Sequence, residues 1–217
     1  MKDNKELILG IIGIILVTLI FIASNIVNDN KEKAKNLLDG KHYVEIKVKD
    51  YGNIVVELDA DTAPITVTNF MKLVNSKFYD GLTFHRIIEG FMIQGGGYDQ
   101  EGNKKEAKPI KGEFTNNGVE NNIKHERGVI SMARVSGMND SASSEFFIMH
   151  EDYSSLDGDY AAFGHVIEGM DVVDKIAQTP KPIDNNGSID LEDRPVIESI
   201  REMKVLIEDN NTNYGDE

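Results

Sequence analysis

Two short runs of alternating apolar residues, joined by a tight turn, constrain the fold more than any other feature of the sequence. Apolar side chains occupy every second position in the segment 44–48 and again in the segment 54–58, and Tyr51-Gly52-Asn53 lies between them. Successive side chains of a strand point to opposite faces, so each run predicts a half-buried strand. Together with the Gly/Asn turn they predict a β-hairpin.

Further short apolar runs follow along the chain, whereas two segments have helical spacing. One helix is expected to begin at Pro64, with Thr62 as its cap and an apolar stripe from Val67 to Val74, and a second covers 170–178. The strand-like runs are Leu82–Ile88, Phe91–Gln94, Gly128–Ala133, Phe146–Met149, Ala162–Val166 and Val196–Val205. Many short strands with two helices favour a mainly β fold, an antiparallel barrel with helices over its ends. We interpret Gly95–Gly97 as a turn.

The segment 7–27 is uncharged and almost entirely apolar. About 20 such residues span the hydrocarbon core of a bilayer, so the segment predicts an uncleaved transmembrane anchor after a short flank, residues 1–6. The alternative is a longer than usual signal peptide, with secretion after cleavage. Lysines flank both ends and do not decide the orientation. A short head before a large domain is typical of an export anchor, so we expect a single-pass protein of the cell membrane with the domain outside the cytoplasm.

The rest of the chain divides by composition. Residues 28–41 are predicted to be a polar stalk, 42–207 the globular domain and 208–217 a disordered acidic tail. The net charge of −14 argues against nucleic acid as a partner. The absence of cysteine excludes disulfides, thiolate nucleophiles and Cys-ligated zinc. The histidines lack ligand spacing, so we expect no metal and no cofactor. We also expect a monomer.

Two blocks of the sequence resemble the signature of the cyclophilins. The segment 84–97 reads FHRIIEGFMIQGGG; the second block reads GVISMAR from Gly128, SEFFI from Ser144 and LDG from Leu156. The resemblance extends over about 43–205 and implies an eight-stranded antiparallel cyclophilin-like β-barrel capped by two α-helices. It also implies peptidyl-prolyl cis/trans isomerase activity on proline-containing polypeptides. Together with the segment 7–27, it leads us to expect a bacterial, membrane-anchored isomerase that acts on unfolded or exported polypeptides. The alternative is a non-catalytic proline-binding module or chaperone tethered to the membrane.

The resemblance also implies the site residues. Arg86 and Gln94 are the predicted catalytic residues, and the predicted substrate-binding residues are Phe91, Met92, Ala133, Arg134, Glu145, Phe147, Leu156 and Tyr160. The residue types suit the chemistry. Rotation about a peptide bond costs about 18–20 kcal/mol because it breaks amide resonance, and the twisted nitrogen regains a lone pair. An apolar slot for the proline ring and a fixed N–H donor near the nitrogen favour that state.

Four further positions bear on the predicted site. Glu145 stands where many cyclophilins carry glutamine, and its carboxylate is expected either to fix the Arg86 guanidinium or to draw it off the proline nitrogen. Arg134 replaces a frequent asparagine, which favours acidic residues before the proline. Ser155 stands where many eukaryotic members have tryptophan, which argues against tight cyclosporin binding. His85 is predicted by strand alternation to face away from Arg86.

Overall fold

The computed structural model describes residues 15, 18–25, 36–178 and 181–203 of the chain. It divides into two units, residues 1–37 and 38–217. In the first unit, residues 18–25 are helical and exposed. No helix within the described residues is long and apolar enough to cross a membrane. Most of the predicted anchor 7–27, residues 28–35 of the stalk and the tail 208–217 lie outside the described residues, so these assignments remain predictions.

Eight strands in the described part of the second unit form a single antiparallel sheet that closes on itself. They are β1 (Lys41–Val48), β2 (Gly52–Asp59), β3 (Leu82–Ile88), β4 (Met92–Asp99), β5 (Val129–Met132), β6 (Phe146–Met149), β7 (Ala162–Glu168) and β8 (Ile197–Glu202). Their order in the sheet is β3-β4-β6-β5-β7-β2-β1-β8. The edge strands β3 and β8 contact each other, and an isolated bridge joins Thr83 on β3 to Val196, the residue before β8. The predicted eight-stranded antiparallel barrel is therefore confirmed.

The barrel interior is filled by one set of alternating side chains. In the β1–β2 hairpin, Val44 pairs with Val56 and Ile46 with Ile54, and all four side chains are fully buried. Two helices of the described unit, α1 (Pro64–Asn75) and α2 (Met170–Gln178), pack their apolar sides against the same core. Both predicted helices and the predicted hairpin are thus present.

The start of α1 differs from the prediction. Ala63, not Thr62, occupies the N-cap, and its methyl side chain cannot accept a hydrogen bond. The Thr62 hydroxyl instead donates to Asp59 Oδ2 at 3.0 Å. The carboxylate of Glu113, far along the chain, accepts from the backbone N–H groups of Ile65 and Thr66 at 3.0 and 2.7 Å. A distant carboxylate therefore replaces the local cap that the sequence suggested.

The glycine run Gly95–Gly97 lies within β4, so its interpretation as a turn was wrong. A Cβ at Gly95 would lie 2.8 Å from the backbone oxygen of Thr83 on β3. Glycine there permits the close approach of β3 to β4. Gly96 has φ +85°, a conformation that residues with a side chain rarely adopt.

A second, smaller apolar cluster lies on the outer surface of the barrel. Phe146 belongs to the interior core, whereas its neighbour Phe147 belongs to this outer cluster together with Met92, Val129, Met149 and Ala162. Phe146 and Phe147 belong to different clusters because successive side chains along β6 point to opposite faces of the sheet. An apolar cluster outside the barrel is what forms the floor of the candidate site.

Candidate active site

Nine of the ten predicted site residues line one cavity of about 140 Å³ on the outer face of the barrel. They are Arg86, Phe91, Met92, Gln94, Ala133, Arg134, Phe147, Leu156 and Tyr160. The tenth, Glu145, lines a neighbouring cavity of about 150 Å³ that shares Gln94, Ala133 and Arg134 with the first. The structure therefore brings these side chains together, while their catalytic and binding roles remain predictions.

Strand register places the polar and apolar sides of the cavity next to each other. Arg86 on β3 pairs with Gln94 on β4, and Gln94 in turn pairs with Phe147 on β6. Residues that are directly opposite across neighbouring strands lie on the same face of the sheet. A cation, an amide and an aromatic ring are thereby aligned across three strands.

The Arg86 guanidinium is held by two hydrogen bonds. Its Nε donates to the backbone oxygen of Asn186 at 2.7 Å, and its Nη1 donates to Gln94 Oε1 at 3.2 Å. The same Nη1 lies 3.9 Å from Met92 Sδ at the apolar side of the cavity. Burial lowers the pKa of Arg86, and Tyr160 and Asp184 oppose this change. An arginine with a moderately lowered pKa still carries its charge at neutral pH.

The segment that contains Asn186 was not recognised from the sequence. It lies along β3, with Ser188 bridged to Arg86 and the N–H of Ile87 donating to the oxygen of Gly187 at 2.8 Å. The Asp184 carboxylate accepts from the N–H groups of Asn186 and Ser188 and so closes the turn. Because the group that holds Arg86 is a backbone carbonyl, the identity of Asn186 carries no signal of this role.

A buried histidine supports the aromatic wall. The Phe147 ring stacks on His125 at 6.0 Å and meets the Tyr160 ring edge-on at 5.7 Å. His125 is 1% exposed and contacts the Asp157 carboxylate through Nδ1 at 3.1 Å. Burial lowers the pKa of His125, and the hydrogen bond and charge of Asp157 oppose this change. The ring is therefore neutral at neutral pH, so it packs against Phe147 without a buried charge.

His150 fixes the loop that carries Phe91. The backbone N–H of His150 donates to the oxygen of Phe91 at 2.9 Å, and His150 Nδ1 accepts from the N–H of Gly90 at 2.9 Å. The Phe91 ring also packs against Tyr153 at 4.5 Å between centroids. These contacts hold the Phe91 ring at the cavity.

The Arg134 guanidinium is largely engaged within the protein. Its Nε donates to the backbone oxygen of Asp159 at 2.8 Å, and the guanidinium lies 4.8 Å over the Tyr160 ring and 5.3 Å over the Phe114 ring. It therefore forms part of the cavity wall. Its predicted preference for acidic residues before the proline remains a prediction.

The expected position of His85 was wrong. The register between β3 and β4 shifts between Phe84 and Arg86, so one extra residue on β3 faces β4. Such a bulge breaks the alternation and brings His85 and Arg86 to the same side. His85 Nε2 lies 3.4 Å from Glu145 Oε2, and this same oxygen accepts from Gln94 Nε2 at 3.0 Å.

Within the described residues, no group of three or more histidine, aspartate or glutamate side chains could hold a metal ion. The cavity instead combines an apolar recess with the fixed, positively charged guanidinium of Arg86.

Comparison with known proteins identifies the family. A family model described as "Cyclophilin type peptidyl-prolyl cis-trans isomerase/CLD" matches residues 43–204. Peptidyl-prolyl cis-trans isomerase A of Dickeya dadantii is 46% identical over 132 residues, which are 58% of this chain and 67% of that protein. A peptidyl-prolyl cis-trans isomerase of Acinetobacter baylyi is 48% identical over 143 residues, which are 63% of this chain and 72% of that protein.

Solved structures resemble the fold as well. A cyclophilin type peptidyl-prolyl cis-trans isomerase of Cryptosporidium parvum superposes with a TM-score of 0.63 at 26% identity, covering 76% of this chain and 99% of the other. A second structure of that protein, obtained in the presence of the dipeptide Ala-Pro, gives a TM-score of 0.62 at 27% identity, with 75% and 99% covered.

Proposed function

The chain belongs to the cyclophilin family of peptidyl-prolyl cis-trans isomerases, and from this premise we propose that Arg86 stabilises the twisted X-Pro bond while the adjacent cavity holds the proline ring. The chain is a peptidyl-prolyl cis-trans isomerase. The observation that carries the proposed mechanism is the fixed guanidinium of Arg86 at the rim of an apolar recess.

The proposed step requires no covalent intermediate. In the planar imide, resonance places positive charge on the proline nitrogen, whereas in the twisted state the nitrogen carries a lone pair that accepts a hydrogen bond. A guanidinium has five N–H donors, so the bonds from Arg86 to Asn186 and Gln94 fix its plane without using all of them. The donor interaction thus exists in the transition state and not in the ground state, which is the requirement for acceleration.

The size of the effect is adequate for the chemistry. A preorganised donor typically contributes about 2.7–4 kcal/mol to a transition state, and each tenfold increase in rate requires about 1.36 kcal/mol. Arg86 can therefore supply about two to three powers of ten. The apolar cavity supplies binding and excludes water from the imide.

The recess next to Arg86 is the proposed proline site, and Ala133 offers a way to block it. We expect Ala133→Phe to raise KM for an X-Pro peptide about tenfold or more, because the added ring occupies the recess and overpacking costs about 1–3 kcal/mol. Initial rates in a protease-coupled assay measure this, and titration with an Ala-Pro peptide measures binding directly. Ser136→Phe, on an exposed position of the following loop, is the matched control. A variant at Ala133 with unchanged KM and unchanged peptide binding would place the proline elsewhere.

We further propose that the isomerase assists the folding of exported proteins while tethered to the membrane. The uncharged segment 7–27 and the large domain that follows it support this proposal. Protease added to intact cells tests it, with a cytoplasmic enzyme as the control for cell integrity. Digestion of the domain in intact cells is the expected result. Protection until the cells are lysed would place the domain on the cytoplasmic side, and recovery in the medium would indicate cleavage and secretion.

A further inference from the structure

Arg86 is connected through Gln94 to a buried carboxylate. Arg86 Nη1 donates to Gln94 Oε1 at 3.2 Å, and Gln94 Nε2 donates to Glu145 Oε2 at 3.0 Å. His85 Nε2 lies 3.4 Å from the same carboxylate oxygen. His85, Glu145, Gln94 and Arg86 therefore form one connected series of polar contacts. The carboxylate thus acts on the guanidinium through an amide and not by a direct ion pair.

The carboxylate determines the orientation of the amide. An ionised carboxylate can only accept hydrogen bonds, so the NH₂ group of Gln94 must face Glu145 and its oxygen must face Arg86. A hydrogen bond to a charged acceptor is shorter and stronger than a neutral one, and it polarises the next bond in the chain. The oxygen that holds Arg86 Nη1 is therefore a better acceptor when Glu145 is ionised.

Two features keep Glu145 in place. The bulge in β3 directs His85 toward the carboxylate, and within the described residues the buried Nδ1 of His85 has no hydrogen-bond partner. The Nε2 atom is the ring nitrogen that faces the carboxylate, so its N–H points to Glu145. On the other side, a Cβ at Gly97 would lie 2.6 Å from Cγ and 2.7 Å from Cδ of Glu145. Glycine at position 97 leaves the space that the side chain of Glu145 occupies.

The carboxylate is ionised under physiological conditions. Burial alone would raise the pKa of Glu145, but the hydrogen bond and charge of His85, the bond from Gln94 and the charge of Lys104 together bring it below the ordinary value. A buried group keeps its charge only when such contacts compensate the loss of water. The contacts around Glu145 therefore maintain its negative charge within the site.

We propose that Glu145 is a positioning residue of the isomerase reaction, which His85 and the space at Gly97 hold so that Gln94 keeps Arg86 at the twisted imide. The proposal rests on the proposed role of Arg86. It resolves the two possibilities for Glu145 in favour of fixing the guanidinium. It also assigns His85 a role in holding Glu145, although strand alternation had predicted that His85 faces away from Arg86.

The first test compares kcat and KM of Glu145→Ala and Glu145→Gln in the full-length chain. We expect Glu145→Ala to lower kcat about tenfold with little change in KM, because the lost contact acts on the transition state. Glu145→Gln keeps an oxygen that can accept from Gln94 but loses the charge, so its kcat is expected to lie between that of Glu145→Ala and that of the wild type. Glu168→Gln, an exposed carboxylate at the end of β7, controls for the change in net charge. Unchanged kcat in Glu145→Ala would overturn the proposal.

The second test moves the carboxylate without removing it. Gly97→Ala forces the side chain of Glu145 out of its place, and the backbone at Gly97 is not in the left-handed region. We expect Gly97→Ala to lower kcat about as much as Glu145→Ala does. Combining Gly97→Ala with Glu145→Ala is expected to lower kcat no further than either substitution alone. This test also decides the matter if Glu145→Ala does not fold. Full activity of folded Gly97→Ala would contradict the proposal.

A double-variant cycle separates this proposal from the proposed role of Arg86. If Glu145 acts through Arg86, then Glu145→Ala has little effect on kcat once Arg86 is lysine. If the losses in kcat of Glu145→Ala and Arg86→Lys multiply in the double variant, Glu145 acts independently of Arg86. That result would overturn the positioning role of Glu145 and leave the proposed role of Arg86 intact. Wild-type turnover in Arg86→Lys alone would instead overturn the proposed role of Arg86. The ¹⁵N signal of Arg86 Nε, which we expect to broaden in Glu145→Ala, reports the loss of order directly.

Discussion

Arg86→Lys is expected to lower kcat/KM for an X-Pro peptide about 100-fold or more, the loss that follows removal of one preorganised donor of about 2.7–4 kcal/mol. Lysine keeps the positive charge but lacks the planar fork of arginine. It cannot bond Asn186 and Gln94 at once and still present a donor at a fixed distance. A protease-coupled assay at several peptide concentrations measures the loss and divides it between kcat and KM.

The division between kcat and KM carries most of the information. We expect the loss to lie in kcat, with the affinity for an Ala-Pro peptide nearly unchanged, because the apolar recess remains intact. Arg201→Lys is a suitable control, since Arg201 pairs with Asp80 through two hydrogen bonds of 2.7 Å and does not line the cavity. If Arg86→Lys retained wild-type kcat/KM, electrostatic stabilisation by the guanidinium would have to be abandoned, and the cavity alone would account for catalysis.

Much of the fold could be predicted because its signals are local and periodic. The bounds of β3 and β6 agree with the apolar runs at 82–88 and 146–149. The hairpin of β1 and β2 follows from alternation on both sides of a Gly/Asn turn. The outward direction of Phe147 follows from the same rule once its neighbour is assigned to the core. The sequence is sufficient to predict a feature that depends only on a residue and its neighbours in the chain.

The features that escaped prediction depend on contacts that no local pattern reports. The bulge at His85 is one extra residue on β3 relative to β4, and it is defined by pairing with a second strand that the β3 sequence does not contain. The carbonyl of Asn186 lies 100 residues from Arg86, and a backbone oxygen is the same for every residue type. Glu113 caps a helix that begins almost 50 residues before it, whereas the residues next to the helix suggest only Thr62 as a cap.

Glu113→Ala is expected to destabilise the domain by about 3 kcal/mol, because it leaves buried donors unsatisfied at the start of α1. The side chain is 2% exposed and accepts from the N–H groups of Ile65 and Thr66 and from the Thr66 hydroxyl. Pro64 has no N–H, and the N–H of Val67 already bonds the oxygen of Ala63. Glu113 therefore satisfies the donors of the first turn that would otherwise lack an acceptor, and its negative charge faces the positive end of the helix.

Thermal and urea unfolding measure this effect. For a chain of this size a loss of about 3 kcal/mol corresponds to a decrease in Tm of roughly 6–12 °C. Glu113→Gln keeps the shape but replaces one acceptor oxygen by an NH₂ group, so its loss is expected to be intermediate. Glu120→Gln, on an exposed position of the same loop, should leave the free energy of unfolding within about 0.5 kcal/mol of the wild type. Because α1 packs Phe70 against Tyr79 and Phe146 in the interior, the loss should appear as a shift of the single cooperative transition. A separate early transition of α1, or stability equal to that of Glu120→Gln, would show that the cap does not hold the helix to the barrel.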